Sequence, residues 1–316
     1  MPELPEVHTT ATGLQGVLPG LYIKDVWTDY DSAFHKGKNN IKDKTFFKTF
    51  HKKCVGKKIL SAGRRGKNVL IHLSGELTIL VHMKMTGHLL YGVYKKTTVK
   101  KAGGKSAKSA GVWLAKHAGP LRDDPFNARV HFIIILSNGK HVALSDTRKF
   151  AKVTLLETKK LTESHDLREL GPEPIDKSFS FEIFKKCLLK KPNGKIKTVL
   201  MDQSLIAGIG NIYSDEILWK SGVHPESKPS QIPNTLLKKM YTATRSLLAK
   251  GIDFGGDSMS DYRNVNGEKG RFQLKHKVYQ RKDEECLKHG CRGIISRKVI
   301  GGRSAHFCNT HQKLLQ

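Results

Sequence analysis

The sequence contains no apolar run that approaches the roughly 20 residues a helix needs to cross a bilayer. No signal-peptide pattern precedes its acidic N-terminus, and no internal repeat is visible. These absences leave little support for a membrane protein, and we expect no membrane partner.

Acidic residues are scarce. The chain has 28 Asp and Glu against 56 Lys and Arg, which gives a formal net charge of +28 and a pI near 9.9. The excess is spread along the whole chain and is not confined to one tail. A large positive field favours a polyanionic partner, nucleic acid before an anionic membrane. Part of this charge is ordinary solvated surface, so charge alone leaves the function open.

Cysteine is scarce too, with five in 316 residues, which is too few for a disulfide framework. Cys54 and Cys187 stand alone in apolar or basic surroundings and are interpreted as ordinary buried or half-buried thiols. The other three cysteines crowd near the C-terminus together with histidines. In a cytosolic protein this crowding indicates a metal site.

Four side chains make a Cys₃His ligand set: Cys286, Cys291, Cys308 and His311. Cys308 and His311 have the short gap that lets a tight turn present both donors, while the first pair has a longer gap. Such a set suits one tetrahedral zinc ion, and four protein ligands leave no open position for catalysis. We therefore expect one structural zinc. His289 remains an alternative to Cys286 as the first ligand.

Short apolar stretches separated by turn signals predict strands in the first half of the chain, after a helix over 3–18. The strand candidates are 69–73, 77–81, 131–136 and 141–144. Several short strands with tight turns favour a β-sandwich or a flattened barrel, which we assign to 1–155. A Lys/Gly/Ser/Ala-rich run at 95–120 buries little, so we predict a basic mobile insert there.

Apolar spacings of three and four residues take over after a linker at 156–179 and predict a helical domain over 180–274. The helix candidates are 180–190, 195–205, 212–221 and 234–250. The last segment, 275–316, contains the metal ligands and the hairpin turn signal Gly301-Gly302, which would place Arg303 at or just past the hairpin tip. The pattern predicts an α+β protein with two domains.

The first seven residues, Met-Pro-Glu-Leu-Pro-Glu-Val, combine a helix start with unusual chemistry. Pro5 and Glu6 suit a first helical turn, but that explanation gives no reason for Pro2. If Met1 is removed, Pro2 becomes a secondary amine at the chain terminus. An α-amino group titrates near pH 8, so part of it is unprotonated at about neutral pH. Such an amine can attack a sugar carbon and form a Schiff base, with Glu3 beside it as proton donor and acceptor.

Six motifs occur in one order: Met1–Val7, Lys67 after Arg64-Arg65-Gly66, His82–Gly87, Asp146–Phe150, Gly208–Tyr213 and the C-terminal metal unit. With them the chain resembles the formamidopyrimidine-DNA glycosylases, a bacterial base-excision repair family that also includes endonuclease VIII. The resemblance runs nearly end to end and covers 95–120 least. It implies an N-terminal β-sandwich with an N-terminal helix, followed by a helical domain with a helix–two-turn–helix and a zinc-finger β-hairpin.

The resemblance implies a bifunctional DNA glycosylase and abasic-site lyase that excises oxidised purines, such as 8-oxoguanine and formamidopyrimidines, from duplex DNA. Pro2 would attack C1′ of the damaged nucleoside, and β- and δ-elimination would follow from the resulting iminium. Glu3 would move protons at the sugar, and Glu6 would help to hold the site. Lys67 matches the family's hairpin lysine. Arg303 matches the finger arginine assigned to phosphate binding and the δ step.

A set of DNA contacts is also implied by the resemblance. Met85, Arg148 and Phe150 match the trio that fills the gap left when a base flips out, a combination typical of the formamidopyrimidine branch. Further expected DNA contacts are His82, Arg129, Asn211 and Tyr279. The family often has a histidine at the position of Arg129. The run 257–272 matches the loop that closes over the damaged base.

Two interpretations from other classes compete with the enzyme. A non-catalytic zinc-containing DNA-binding protein would keep the finger but need neither Pro2, Glu3 nor Lys67, all of which are present. A ribosome- or RNA-associated basic protein is supported by charge alone and leaves the N-terminus unexplained. The sequence leaves open the exact lesion, the opposite-base preference and the role of the basic insert. We expect a monomer in the cytoplasm, associated with a bacterial nucleoid.

Removal of the Phe150 side chain tests the proposed wedge. Burial of a Met and a Phe side chain contributes on the order of a few kcal/mol, comparable with the cost of unstacking one base. Phe150→Ala should therefore slow excision from a lesion-containing duplex by roughly one to two orders of magnitude in single-turnover assays. An abasic duplex is the control, because no base has to be extruded there. Equal slowing on both duplexes would mark Phe150 as an ordinary core residue.

Overall fold

The computed structural model describes residues 1–99 and 110–315. Its helices are α1 (Leu4–Gln15), α2 (Lys44–Cys54), α3 (Pro120–Asp123), α4 (Phe181–Leu189), α5 (Ile196–Met201), α6 (Asn211–Ser221) and α7 (Asn234–Asp253). Its strands are β1 (Ile23–Thr28), β2 (Ile59–Arg65), β3 (Asn68–Leu73), β4 (Leu77–His82), β5 (Gly87–Gly92), β6 (Tyr94–Val99), β7 (Ala110–Ala115), β8 (Val130–Leu136), β9 (His141–Asp146), β10 (Lys152–Glu157), β11 (Ile295–Ile300) and β12 (Arg303–Cys308). Over the two described ranges, every helix is too short or too polar for a membrane crossing.

Two four-stranded antiparallel sheets build the N-terminal domain. One has the strand order β1-β8-β9-β5, and the other has the order β10-β4-β3-β2. Apolar side chains from both sheets meet in one core, for example Phe132 and Ile134 from β8 with Ile71 from β3 and Ile79 from β4, all of them buried. Because the sheets are separate and face each other across this core, the predicted β-sandwich is confirmed and the flattened barrel is wrong.

Helix α1 joins the two domains. Val7 and Leu14 pack in the core of the sandwich, whereas Leu4, in the first turn, packs among the helices of the second domain. The helix begins after Glu3, whose backbone N–H donates to the Glu6 carboxylate at 2.7 Å, as in a capping box. The first residues of the chain are therefore fixed at the boundary between the domains.

Helix α2 was not expected from the sequence, which had suggested strands throughout this region. The helix is rich in lysine, and only Phe50 and Cys54 are fully buried, so its apolar face is narrow. Asp43 caps it by accepting the backbone N–H of Phe46 at 2.6 Å. The helix packs Phe50 edge-on against Phe132 of β8, which seals one end of the sandwich core.

The prediction of a mobile insert at 95–120 is wrong for the part of it that the structure describes. β6 and β7 pair as an antiparallel hairpin, with Lys96 opposite Trp113. Trp113 and Tyr94 are buried in an apolar cluster with Ile133 of β8, and the lysines of β6 hid this apolar side in the sequence. Residues 100–109 lie outside the described residues.

Helices α4 to α7 surround a second core, which contains Phe184, Leu200, Tyr213 and Met240. The Ser180 hydroxyl accepts the backbone N–H of Ile183 at 3.2 Å and starts α4. α5, the glycine-containing turn and α6 form the predicted helix–two-turn–helix. α6 packs along α7, and its N-terminus points toward the start of the chain.

The strands β11 and β12 form the predicted C-terminal hairpin, with Ile300 paired to Arg303. Gly301 and Gly302 have φ of 56° and 73°, as a two-residue turn of type I′ requires. A Cβ on Gly301 would overlap the Thr198 side chain, so the turn packs closely on α5. Arg303 is the first residue after the turn, and its side chain is exposed.

Candidate active site

The carboxylate of Glu3 binds the N-terminus of α6. It accepts backbone N–H groups from Gly210 at 2.7 Å, from Ile212 at 2.8 Å and from Tyr213 at 3.4 Å. A helix N-terminus favours an anion because its N–H groups and its dipole both point at the charge. A glycine-rich turn followed by a helix N-terminus, as in Gly208–Tyr213, could by itself hold a phosphate at these amides. In this structure the amides instead bind the side chain of Glu3.

Two glycines permit this close contact. A Cβ on Gly210 would overlap the carboxyl carbon of Glu3. A Cβ on Gly208, whose φ is +95°, would lie 2.6 Å from Cβ of Leu4. The Gly208 carbonyl also accepts the Leu4 N–H at 3.0 Å. The glycine-rich turn therefore serves the approach of the chain terminus to α6.

Glu6 lies fully buried behind Glu3. Its carboxylate accepts the backbone N–H groups of Glu3 and Asp257, both at 2.7 Å, and the Tyr213 hydroxyl at 3.2 Å. Burial raises the pKa of Glu6 to about 7, and the negative charge of Glu3 acts in the same direction. Glu6 therefore titrates near neutral pH and is partly protonated there.

Lys67 comes from the turn between β2 and β3 and reaches the same place. Its Nζ donates to the Ile209 carbonyl at 2.8 Å, and the residue is only 6% exposed. Burial lowers the pKa of Lys67, whereas the nearby carboxylates of Glu3 and Glu6 raise it. A buried ammonium with a lowered pKa gives up a proton more readily than a surface lysine.

Opposing effects set the charge of Glu3. Burial raises its pKa, whereas the positive charge of Lys67, the amides of α6 and the amino group of the chain terminus lower it. Pro2 is buried and Met1 is exposed, so the terminal amine borders both the protein interior and the solvent. The structure thus brings Pro2, Glu3, Glu6 and Lys67 together at one point.

Glu173 holds the turn between β2 and β3, which carries Lys67. The sequence did not reveal this role. Its carboxylate accepts Nη1 of Arg64 at 2.6 Å, Nη1 of Arg65 at 2.9 Å and the N–H of Gly66 at 2.6 Å. These bonds attach the turn that carries Lys67 to the segment between β10 and α4, to which Glu173 belongs. The only signal in the sequence is a lone glutamate between two prolines.

A cleft of about 800 Å³ opens beside the chain terminus. Its lining includes Met1, Met85, Arg148, Phe150 and Arg303. The predicted wedge trio, from the β-sandwich, and Arg303, from the C-terminal hairpin, therefore border the same cleft as the N-terminus. A cleft that contains cationic, thioether and aromatic side chains suits a polyanion with stacked bases.

The turn after β9 presents Arg148 and Phe150. The carboxylate of Asp146 holds this turn by accepting the Ala151 N–H at 2.7 Å and the Thr86 hydroxyl, and Thr86 in turn accepts the Arg148 N–H at 3.1 Å. The Arg148 guanidinium lies 4.5 Å from the centroid of the Phe150 ring, and Phe150 is 49% exposed. This half-exposed aromatic side chain is therefore held in place without being part of the core.

His82 and Arg129 are not among the residues that line the cleft of the wedge. His82 ends β4, and its Nδ1 accepts the Lys84 N–H at 3.0 Å. Burial lowers the pKa of His82 to about 3, with the charge of Lys84 adding to the effect, so its imidazole is neutral near neutral pH. Arg129 lines a separate groove of about 380 Å³ with Lys96 and His131.

Asn211 and Tyr279 lie together on the C-terminal side of the site, with their side chains as neighbours. Asn211 begins α6. The N–H of Tyr279, like those of Lys277 and Val278 before it, donates to the Glu216 carboxylate at 3.0 Å. Glu216, which the sequence analysis did not identify, thus fixes the loop that presents Tyr279. A buried carboxylate inside α6 carries no motif that would have revealed it.

Three thiols converge behind the finger hairpin. The Sγ atoms of Cys286, Cys291 and Cys308 all lie within 4.8 Å of one another. The Trp219 indole N–H donates to Sγ of Cys286 at 3.4 Å, a contact that stabilises a thiolate ligand. Cys286 therefore belongs to the cluster, and His289, its alternative, is exposed.

His311 differs from the expectation. It is not part of the cysteine cluster. Its Nε2 instead lies 2.7 Å from the Trp219 carbonyl, and its ring packs edge-on against the Trp219 indole. Among the described residues the cluster therefore contains three thiols, and His311, the expected fourth ligand, lies beside Trp219.

Comparison with known proteins gives matches over nearly the whole chain. A family model described as the formamidopyrimidine-DNA glycosylase N-terminal domain matches residues 1–153, and one described as the H2TH domain of the same glycosylase matches 170–263. The formamidopyrimidine-DNA glycosylase of Bacillus subtilis is 35% identical over 98% of this chain and 98% of its own. The glycosylase of Pelotomaculum thermopropionicum is 35% identical over 99% of this chain and 100% of its own.

Solved structures show the same likeness. The Lactococcus lactis Fpg bound to DNA with an abasic site has a TM-score of 0.78 and 26% identity, covering 98% of this chain and 99% of that one. The MutM (Fpg) protein of Thermus thermophilus has a TM-score of 0.75 and 28% identity, covering 98% of each chain.

The titration of Glu6 predicts how stability depends on pH. The folded chain raises the pKa of Glu6 from 4.5 to about 7, so the folded state holds this proton more tightly than the unfolded state. The contribution of Glu6 to the free energy of unfolding is then fully present below its pKa in the unfolded chain and is lost as pH rises through about 7. In urea unfolding, the free energy of unfolding of the wild type minus that of Glu6→Gln should fall by roughly 3 kcal/mol at most between about pH 5 and 8.

The matched control for this measurement is Glu182→Gln, which changes an exposed carboxyl on α4. A difference between wild type and Glu6→Gln that stays constant across this pH range would contradict the raised pKa.

Proposed function

The chain belongs to the formamidopyrimidine-DNA glycosylase family and is a DNA glycosylase that acts on damaged bases; within this activity, we propose that it excises oxidised purines from duplex DNA through a Schiff base on Pro2, followed by β- and δ-elimination. The observation that carries the proposal is the meeting of a buried carboxylate, Glu3, and a buried ammonium, Lys67, at the chain terminus. Amine catalysis at a sugar carbon needs these proton donors and acceptors beside the nucleophile.

In the first step, removal of Met1 exposes the Pro2 nitrogen. Its lone pair forms a bond to C1′ while the N-glycosidic bond breaks, and the base leaves with the electrons of that bond and takes up a proton. The Pro2 nitrogen then gives its remaining proton to the Glu3 carboxylate, and opening of the C1′–O4′ bond leaves an iminium between Pro2 and C1′. We assign the proton that O4′ needs to Glu3, whose burial raises its pKa toward that of a proton donor.

In the second step, the iminium withdraws electrons and makes the 2′-proton acidic. A base removes this proton, the 3′-phosphate leaves with the C3′–O bond electrons, and a second elimination releases the 5′-phosphate. Lys67, with its lowered pKa, suits proton transfer, and exposed Arg303 suits phosphate binding in the δ step. A non-catalytic DNA-binding protein would have no use for the buried charges around Pro2.

DNA would lie along the cleft, with Met85, Arg148 and Phe150 filling the space that the flipped base vacates. We propose that His82, Asn211 and Tyr279 contact the DNA close to the flipped nucleotide. Arg129 would contact the DNA farther away, from its own groove. The net charge of +28 supports a strong phosphate component of binding. We further propose a monomer that acts in the bacterial cytoplasm, on DNA of the nucleoid.

We propose that the three thiols hold one structural zinc ion, with His311 as the fourth ligand. The Trp219 carbonyl engages Nε2 of His311, and a histidine ligand commonly donates its second ring nitrogen to such a carbonyl, so Nδ1 is the atom assigned to the metal. The ion would stabilise the fold of the finger and take no part in the reaction. The hairpin with Arg303 is also tied to α6, because the His306 N–H donates to Asp215 at 2.9 Å.

Two variants test the nucleophile. Pro2→Gly should strongly reduce the borohydride-trapped adduct with an 8-oxoguanine duplex, since a glycine amine is not fixed against C1′. Retention of Met1 should abolish the adduct, because the Pro2 nitrogen is then part of an amide. Duplex affinity, measured by fluorescence anisotropy, should stay largely intact in both. Undiminished adduct in the protein that retains Met1 would move the nucleophile to a lysine.

Metal analysis of two histidine variants tests the zinc site. One zinc per chain is expected in the wild type and in His289→Ala, whose altered residue is exposed. His311→Ala should bind zinc more weakly, and chelation should lower DNA affinity because the finger that presents Arg303 loses its fold. Absence of zinc from the wild type, or full DNA affinity after complete chelation, would reject the proposal. Undiminished zinc affinity in His311→Ala would reject the fourth ligand alone.

A further inference from the structure

Phe34 exposes most of its side chain to solvent. It belongs to a single turn of 3₁₀ helix, Ala33–His35, and is 77% exposed. The ammonium of Lys38 lies 3.6 Å from the centroid of its ring, and the His35 ring packs against it edge-on at 5.1 Å. Phe34 is therefore a solvent-facing aromatic platform with a cation beside it.

This ring borders the cleft of about 800 Å³ beside the chain terminus, the same cleft that Arg148, Phe150 and Arg303 line. Phe150, at 49%, is also exposed for its size. Two exposed phenylalanines, each with a cation close to its ring, thus face one basic cleft. Only one of the two belongs to the predicted wedge.

The segment 29–42, which we call the Phe34 loop, is fastened to the turn that carries Arg148 and Phe150. The Nζ of Lys42 donates to the Lys149 carbonyl at 2.6 Å, and the Lys149 ammonium lies 3.3 Å from the Asp29 carboxylate. The loop is closed on itself by the N–H of Ser32, which donates to the Lys42 carbonyl at 3.1 Å. The two phenylalanines are therefore held at defined positions relative to each other.

We propose that Phe34 is a second aromatic contact for DNA: its ring packs on a nucleobase that neighbours the lesion where the duplex opens or bends across the cleft. Lys38 would bind the phosphate of the same nucleotide. This inference rests on the proposed function, because it takes duplex DNA as the ligand of the cleft. Base–aromatic stacking tolerates any sequence, since every base offers a π face. Phe34 would therefore add affinity without adding lesion specificity.

The charges around the cleft favour nucleic acid over a second copy of the chain. Lys36, Lys38, Lys84 and Lys149 lie in the Phe34 loop or on the cleft rim, and the whole chain carries +28. The two carboxylates of the lining, Asp29 and Asp31, are each paired with a lysine. Two copies meeting at this face would bring like charges together at close range. A polyanion neutralises them, and its bases supply the flat apolar surface that Phe34 lacks in the free protein.

Affinity for an abasic duplex, measured by fluorescence anisotropy at several salt concentrations, tests the proposal. Phe34→Ala should weaken binding about tenfold to a hundredfold, whereas Phe34→Trp should stay close to wild type because it keeps a flat ring. The slope of log affinity against log salt should not change in Phe34→Ala, since no phosphate contact is lost. Lys38→Ala should reduce that slope by about 1. The matched control is Leu60→Ala, an exposed apolar side chain on β2 that lies outside the cleft.

Three results would overturn the proposal: Phe34→Ala affinity within about twofold of wild type, an equal loss in Phe34→Trp, or a wild-type dimer that Phe34→Ala dissociates. The last result would make Phe34 a contact between copies. Borohydride trapping at saturating enzyme separates this inference from the proposed function. Wild type and Phe34→Ala should trap the abasic duplex equally well if Phe34 only binds. Failure of the wild type to trap would count against the Schiff base and leave the affinity comparison valid.

Discussion

The carboxylate of Glu3 in the N-terminus of α6 is the contact on which the geometry of the site depends. It joins the first residues of the chain to a helix of the second domain through the amides of Gly210, Ile212 and Tyr213. The helix that follows Glu3 packs in the core of the first domain. A single buried carboxylate thus fixes the chain terminus relative to both domains, and any shift between the domains would disturb the contact of Glu3 with α6.

The second constraint is the rigidity of the turn that carries Lys67. Two neighbouring arginines would repel each other and the lysine, but Glu173 accepts hydrogen bonds from both Arg64 and Arg65 and from the backbone of the same turn. This leaves Lys67 as the cation that faces the buried carboxylates. Because Glu173 lies between β10 and α4, the segment that leads from one domain to the other also positions Lys67, the side chain that we propose for proton transfer.

The sequence predicted the elements whose apolar periodicity is strong, such as β8 and α7, and the residues that come in motifs. It failed where lysines lie close to buried aromatic residues, as in α2 and in the hairpin of β6 and β7, because the sequence there looks polar although Phe50 and Trp113 are buried. Long-range partners could not be predicted either. Nothing in a local pattern links Glu173 to Arg64, or His311 to the carbonyl of Trp219.

The charge balance of the buried site follows from these contacts. Two carboxylates, Glu3 and Glu6, lie near one ammonium, Lys67, and burial raises the pKa of Glu6 to about 7. A protonated Glu6 leaves one negative and one positive charge in the free enzyme, which is the least costly state of a buried cluster. In the proposed mechanism Pro2 then becomes an iminium and adds a positive charge. Coulomb attraction to that charge lowers the pKa of Glu6 and favours its ionised form, which balances the site again. On this account Glu6 stabilises the covalent intermediate without touching the sugar, because a group that titrates near neutral pH can change its charge when its neighbour does.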